Sequence, residues 1–206
     1  MMFSIITDNL PSSIDIGDGV FVPINTSFKR CIKFENIMFG ANDLSNRDKV
    51  IQSFELFGIP DKLIRNNAKS VMDGIIDFYR CFKPVRKLNK RVAEKMKGVR
   101  QPKYFDFTYD APYIYAAFMH DYGIDLVDTD LHWFKFKALF DALSAETQFA
   151  KIISYRGTDV SQIKDAKEKA RITKLQFLYA LPRTMTEEQK AAEIGMAFQK
   201  IEGNIK

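Results

Sequence analysis

The stretch Leu131-His132-Trp133-Phe134-Lys135-Phe136-Lys137-Ala138-Leu139-Phe140-Asp141-Ala142-Leu143 decides what kind of chain this is. It holds the only Trp, one of the two His and three of the Phe. Leu131, Phe134, Ala138 and Ala142 recur at helical steps, and Phe136, Leu139, Phe140 and Leu143 widen that side past a simple stripe. A helix of this kind is buried over most of its surface, with Lys135, Lys137 and Asp141 marking its exposed edge. Asp128, Thr129 and Asp130, just ahead of it, are the candidate N-caps. On this reading Trp133, Phe136 and Phe140 are core, Lys135 and Lys137 are a rim, and His132 is a helix-start residue. Trp133, Lys135 and Lys137 are also candidate partner-binding residues, if the strip is an interface instead of a core.

The segments on both sides have the pattern of elements that pack on such a helix. Upstream, Phe105 to Tyr109 alternates aromatic and polar, and Asp110 is placed to cap a helix over Tyr113 to Tyr122 that Gly123 ends. Downstream, Phe149, Ile152, Ile153 and Tyr155 predict a buried helix. A charged helix with a narrower stripe then starts at Ser161 or Asp165 and stops at Leu181-Pro182. Thr186-Glu187-Glu188-Gln189 has the form of a capping box opening a last amphipathic helix. In the N-terminal part, Ile14-Asp15-Ile16 and Val20-Phe21-Val22 flank Gly17-Asp18-Gly19, which predicts a hairpin ended by Pro23. Three helices follow: one after Asn25-Thr26-Ser27, one capped by Ser45 or Asn46 and stopped by Gly58, and one from about Asn67 to Phe82. The expected fold is therefore mainly α: an N-terminal β-hairpin packed on a small helical unit, followed by a C-terminal multi-helix bundle. The expected divisions are residues 1–83 (hairpin plus three helices), 84–103 (basic connector) and 104–206 (C-terminal helical domain).

The connector is where the charge sits. Residues 83–103 carry nine Lys and Arg against Glu94, a balance of +8, so the rest of the chain is −3 within a total of +5. Arg86, Lys87, Lys90, Arg91 and Lys95 are its candidate partner-binding residues. Nine cations could contact phosphates. Base stacking, however, needs interleaved aromatics, and only Phe82 and Tyr104 flank the segment. A solvated connector or a dock for an acidic protein surface is the first reading, and nucleic acid the second.

Composition excludes several classes. An apolar share of 46% with 18 Phe excludes a wholly disordered chain. No stretch approaches the roughly 20 apolar residues that cross a bilayer, and Met1 to Leu10 has no basic n-region, so a soluble cytoplasmic protein is expected. Cys31 and Cys81 read as two reduced core thiols. With His120 and His132 they lack any CxxC or HxxxH spacing, so no metal site is expected. The run Asp106, Asp110, Asp121, Asp125, Asp128 and Asp130 does not have the spacing of a calcium loop. GxGxxG, Walker A, GxSxG and HExxH motifs are all missing from the sequence, and His120-Asp121 and Asp130-His132 are the nearest approach to an acid–base pair. No catalytic residue and no cofactor is expected.

Three blocks are more specific than their helical periodicity. The first joins Phe105-Asp106-Phe107, Tyr109-Asp110-Ala111, Tyr113 through Phe118 and Tyr122-Gly123-Ile124-Asp125-Leu126. The second is Leu131-His132-Trp133 with Phe136-Lys137-Ala138-Leu139, and the third Lys151 through Arg156 with Asp159 and Tyr179-Ala180-Leu181-Pro182. Leu10-Pro11, Ile24-Asn25-Thr26, Phe28-Lys29 and Phe78-Tyr79-Arg80-Cys81 agree. Together, from about Leu10 to Pro182, they resemble the gene-product-fifteen family of long-tailed phages and prophages of Gram-positive bacteria. The resemblance implies a tail-module protein encoded just before the tape-measure protein, a position typical of tail assembly chaperones. It implies the phage tape-measure protein and the major tail protein as partners, no enzymatic activity, and work in the host cytoplasm, with absence from the mature virion. A structural tail component that stays in the virion is the alternative, and a nucleic-acid-binding phage protein using residues 83–103 a further one. A homo-oligomer is left open.

Overall fold

Short-range chemistry starts and stops each element. In the computed structural model, which describes residues 4–40, 42–84 and 103–182, Gly17, Asp18 and Gly19 take φ values of 104°, 51° and 74°. They reverse the chain between β1 (Ser13–Asp15) and β2 (Phe21–Pro23). The strands pair antiparallel with Ile14 opposite Val22, and those two side chains are buried while Phe21 faces out. The Ser27 hydroxyl accepts from the Lys29 N–H and opens α1 (Phe28–Phe39). Ser45 accepts from the Asp48 N–H and opens α2 (Asn46–Phe57), which ends at the left-handed Gly58.

The third helix differs from expectation at both ends. α3 spans Asp61–Tyr79 and begins after Pro60. Proline presets a backbone that leads into a helix, and Asp61 in the first turn complements the helix dipole. Asn67, the expected start, is a kink inside the helix with φ −127° and ψ 16°. The helix ends three residues before Phe82, because Cys81 and Phe82 both take left-handed φ values, 53° and 54°. Their N–H groups return to the carbonyls of Phe78 and Asp77, closing the helix end.

The second half contains α4 (Ala111–Tyr122), α5 (Trp133–Asp141), α6 (Gln148–Gly157), a 3-10 turn (Val160–Gln162) and α7 (Ala166–Leu178). Thr147 caps α6, Asp159 caps the 3-10 turn and Asp165 caps α7, each accepting from a backbone N–H two or three residues on. The protein is thus mainly helical, with a two-stranded antiparallel hairpin near its N-terminus. Residues 85–102 and the expected last helix from Thr186 lie outside the described residues.

Two N-caps read from sequence have other duties. The cap of α5 is His132, whose Nδ1 accepts from the Phe134 N–H 3.1 Å away. Asp130, one of the three expected caps, instead accepts a 2.5 Å hydrogen bond from the Ser27 hydroxyl. Asp110 stands at the N-cap of α4 but makes no side-chain cap bond; its carboxylate is turned inward.

Most of the buried apolar side chains on both sides of residues 85–102 belong to one hydrophobic cluster. Phe136 of α5 lies in it with no exposed surface. Its ring stacks on Phe28 of α1 at 4.6 Å, Phe118 of α4 at 5.1 Å, Trp133 at 5.7 Å and Phe140 at 5.8 Å between centroids. Stacked rings add to the gain from burying their area. The hairpin seats on α3, where Gly74 leaves room for the Ile14 side chain and the Asp15 carbonyl.

Candidate functional site: the start of α5 and the surface around it

The first turns of α1 and α5 are joined backbone to backbone. The Phe28 N–H donates to the Leu131 carbonyl at 2.9 Å, and the Trp133 N–H donates to the Thr26 carbonyl at 2.8 Å. The result is a single antiparallel bridge between Ser27 and His132. Free N–H groups at helix starts need partners, and each helix supplies one to the other. His132 closes the junction. Since its Nδ1 accepts, its Nε2 carries the proton and donates to the Pro11 carbonyl at 2.9 Å. Burial lowers the His132 pKa, and the nearby Lys135 adds to the shift. The neutral imidazole ties the Pro11 segment to the first turn of α5.

Trp133 is 1% exposed, and its indole N–H donates to the Tyr79 carbonyl at 2.7 Å. It therefore joins the core and offers no surface to a partner. Lys135 is exposed. Lys137 pairs with Asp141 one turn on and sits 5.4 Å from the centre of the Phe140 ring. Lys83, at the edge of the basic segment, reaches the same Asp141 at 3.8 Å. Between them lies a groove of about 220 Å³, floored by Cys81, Phe82 and Phe134 and rimmed by Lys83, Lys137 and Asp141. The structure thus brings Lys137 to the start of the basic connector, while Lys135 stands apart. Arg86, Lys87, Lys90, Arg91 and Lys95 lie outside the described residues.

The acidic run is used for turns and crosslinks. Asp106 accepts from the N–H groups of Thr108 and Tyr109. Asp125 accepts from the Val127 N–H and the Tyr115 hydroxyl. Asp121 accepts from both the N–H and the hydroxyl of Ser144. The bond from the Ser144 N–H, followed by the one from His120, holds the Asp121 carboxyl below its usual range. His120 and Asp121, adjacent in sequence, meet at 2.7 Å, with His120 exposed and Asp121 committed to the Ser144 loop. Among the described residues no group of three or more His, Cys, Asp or Glu is placed to hold a metal ion. Cys31 is buried and Cys81 half-buried, both as free thiols. Burial pushes the Cys81 thiol up to about 11, so it is protonated at neutral pH.

The polar feature that sequence reasoning missed is the pair Asp110–Arg156. The guanidinium forks onto the carboxylate at 2.7 and 2.9 Å, with the Arg156 side chain 6% exposed and Asp110 fully buried. Arg156 also donates to the carbonyls of Tyr104 (2.9 Å) and Tyr179 (2.6 Å), and Asp110 accepts from the Asp106 N–H. One side chain of α6 thereby holds the start of the second half, the first turn of α4 and the end of α7. A signal was available. Arg156 closes an apolar helix in which residues i−3 and i−4 are Ile153 and Ile152, so it has no carboxylate on its own helix.

These features define a mainly helical protein whose buried polar groups act as ties between segments. The chain belongs to the Bacteriophage Gp15 protein family, which matches residues 6–181. That membership makes it a bacteriophage protein and points to the structural and assembly class of phage proteins. No curated protein and no solved structure is a significant match. Among the described residues no helix is long and apolar enough to cross a membrane.

Proposed function

We propose that this protein is a non-enzymatic tail assembly protein: a chaperone that binds the tape-measure protein and the tail-tube subunits in the host cytoplasm. The observation that carries this reading is the family match, which spans residues 6–181 and so includes both halves of the chain. The use of His132, Asp110 and Arg156 as ties between segments fits a protein that works by presenting surfaces. The sequence lacks the common catalytic motifs, which is in keeping with a binding role.

The test is affinity purification of the tagged protein from phage-producing cells, paired with mass spectrometry of purified virions. The tape-measure protein and the major tail protein should co-purify, and the virions should lack this chain. Stoichiometric presence in the particle would make it a structural tail component instead. Co-purification of neither tail protein would overturn the chaperone reading. Salt-sensitive DNA binding at about 50 mM salt, lost when Lys87, Lys90 and Arg91 are neutralised, would favour a nucleic-acid role.

A further inference from the structure

We propose that the outward face of α7 is a docking site for an acidic amphipathic helix of a partner protein, gripped by Phe177 and Leu178 and by the basic row beside them. α7 is held to the body along one side only. Ile172 is its one buried side chain. The Gln176 amide donates to the carbonyls of Tyr155 at 2.9 Å and Thr158 at 2.7 Å, and Tyr179, just past the helix, stacks on Tyr155. Counting about 100° per residue from Ile172 places Gln176 and Tyr179 on that inner side, and Ala170, Lys174, Phe177 and Leu178 on the opposite one.

On that opposite side Phe177 is 86% exposed and Leu178 63% exposed. A large apolar side chain left in water forgoes the free-energy gain of burial. Phe177 and Leu178 flank Lys174, and Lys167, Arg171, Lys174 and Leu178 form one ridge at steps of four, three and four. The helix's own carboxylates are engaged. Asp165 caps the first turn, and Glu168 is forked by Arg171 at 2.7 and 2.8 Å. Lys167 and Lys174 have no ion pair among the described residues. The face thus pairs an aromatic anchor with two lysines, Lys167 and Lys174, that have no carboxylate partner among the described residues. Its complement is a helix with an apolar ridge edged by Glu or Asp. A membrane surface fits less well, because binding to lipid takes a broad apolar face and this one has two large apolar side chains at one end beside Ala170 and Thr173. This inference stands apart from the tail-assembly reading, since it concerns the chemistry of the face and not the partner's name.

The experiment uses the full chain and a fluorescent peptide of about three heptads, with Leu at the a and d positions and Glu elsewhere; a control peptide carries Lys in place of Glu. The Glu peptide should bind, more weakly at high salt, and the Lys peptide should bind at least about tenfold less tightly. Phe177→Ser and Lys174→Glu should each weaken binding by about tenfold or more while leaving thermal unfolding unchanged. With p-benzoylphenylalanine in place of Phe177, light should cross-link the chain to the Glu peptide. The proposal is overturned by equal binding of the two peptides, by no binding, or by indifference to Phe177→Ser. Cross-linking of position 177 to residues 183–206 of the same chain, or to a second copy, would also overturn it. So would Phe177-dependent binding to anionic vesicles in place of peptide.

Discussion

Trp133 at the start of α5 donates its indole N–H to the carbonyl of Tyr79 at the end of α3, and the two rings stack at 5.3 Å and 15°. Tyr79 in turn donates its hydroxyl to Glu35 of α1. Burial, together with the negative charge of Glu35, pushes the Tyr79 pKa up, so that hydroxyl keeps its proton. Three helices are thus linked through one aromatic pair.

Truncating this contact should be felt throughout the molecule. Trp133→Ala is expected to cost about 3–5 kcal/mol, as for a buried large aromatic. Trp133→Phe keeps most of the volume but leaves the Tyr79 carbonyl without its partner, for a cost of about 1–3 kcal/mol. Urea unfolding followed by circular dichroism measures both. In the unmutated protein the emission of this sole Trp should change together with the helical signal, because it reports on a core shared by both halves.

The buried Asp110–Arg156 pair gives an asymmetric prediction. Arg156→Met alone strands a carboxylate in the interior, and a loss of about 3–5 kcal/mol is expected. Replacing both partners, Asp110→Leu with Arg156→Met, should recover a large part of that loss, since no lone charge then remains. Recovery will stay incomplete, because the carbonyls of Tyr104 and Tyr179 lose their donor. A double-mutant cycle on urea midpoints measures the coupling, and additive effects of the two changes would show that the pair does not act as a unit.

His132 sets a pH dependence with a definite sign. Burial holds its folded-state pKa below the ordinary value of 6.5. As pH falls through that value, the unfolded chain takes up the proton first and native stability declines, levelling off once the folded form is protonated as well. Stability should therefore drop between about pH 7 and pH 5. His132→Gln should flatten the curve in that window. The lowered carboxyls of Asp106, Asp121, Asp125 and Asp159 act in a separate window, contributing above their unfolded pKa and losing that contribution only below about pH 4.

Gly74 tests how closely the hairpin seats. A Cβ there would lie 3.1 Å from both the Asp15 carbonyl oxygen and the Ile14 Cβ. Alanine inside a helix gains about 1 kcal/mol over glycine, but overpacking costs about 1–3 kcal/mol. Neither neighbouring atom is the free end of a flexible side chain, so Gly74→Ala should be net destabilising by urea unfolding. Gly157→Ala meets only the Tyr104 ring at 3.6 Å, an ordinary contact, and should not destabilise.

What the sequence determined by itself is local. The Gly17-Asp18-Gly19 turn, the Ser45 and Asp165 caps and the Gly58 and Gly123 stops all act through backbone groups a few residues away, so their chemistry is visible in the string of letters. The mainly helical class followed from apolar periodicity, and the family from blocks of residues along the chain. Tertiary structure alone decided which long-range partner each group takes. Asp110 and Asp130 have the look of caps, yet a better donor arrives from another segment in each case: Arg156 across 46 residues and Ser27 across 103. The cap left open at α5 then falls to His132. Trp133 and Phe177 show the same limit for apolar side chains, one enclosed in the core and the other left in water on α7. Burial depends on which helix faces pack together, and that is set by the sum of many contacts distant in sequence, none of which a single position records.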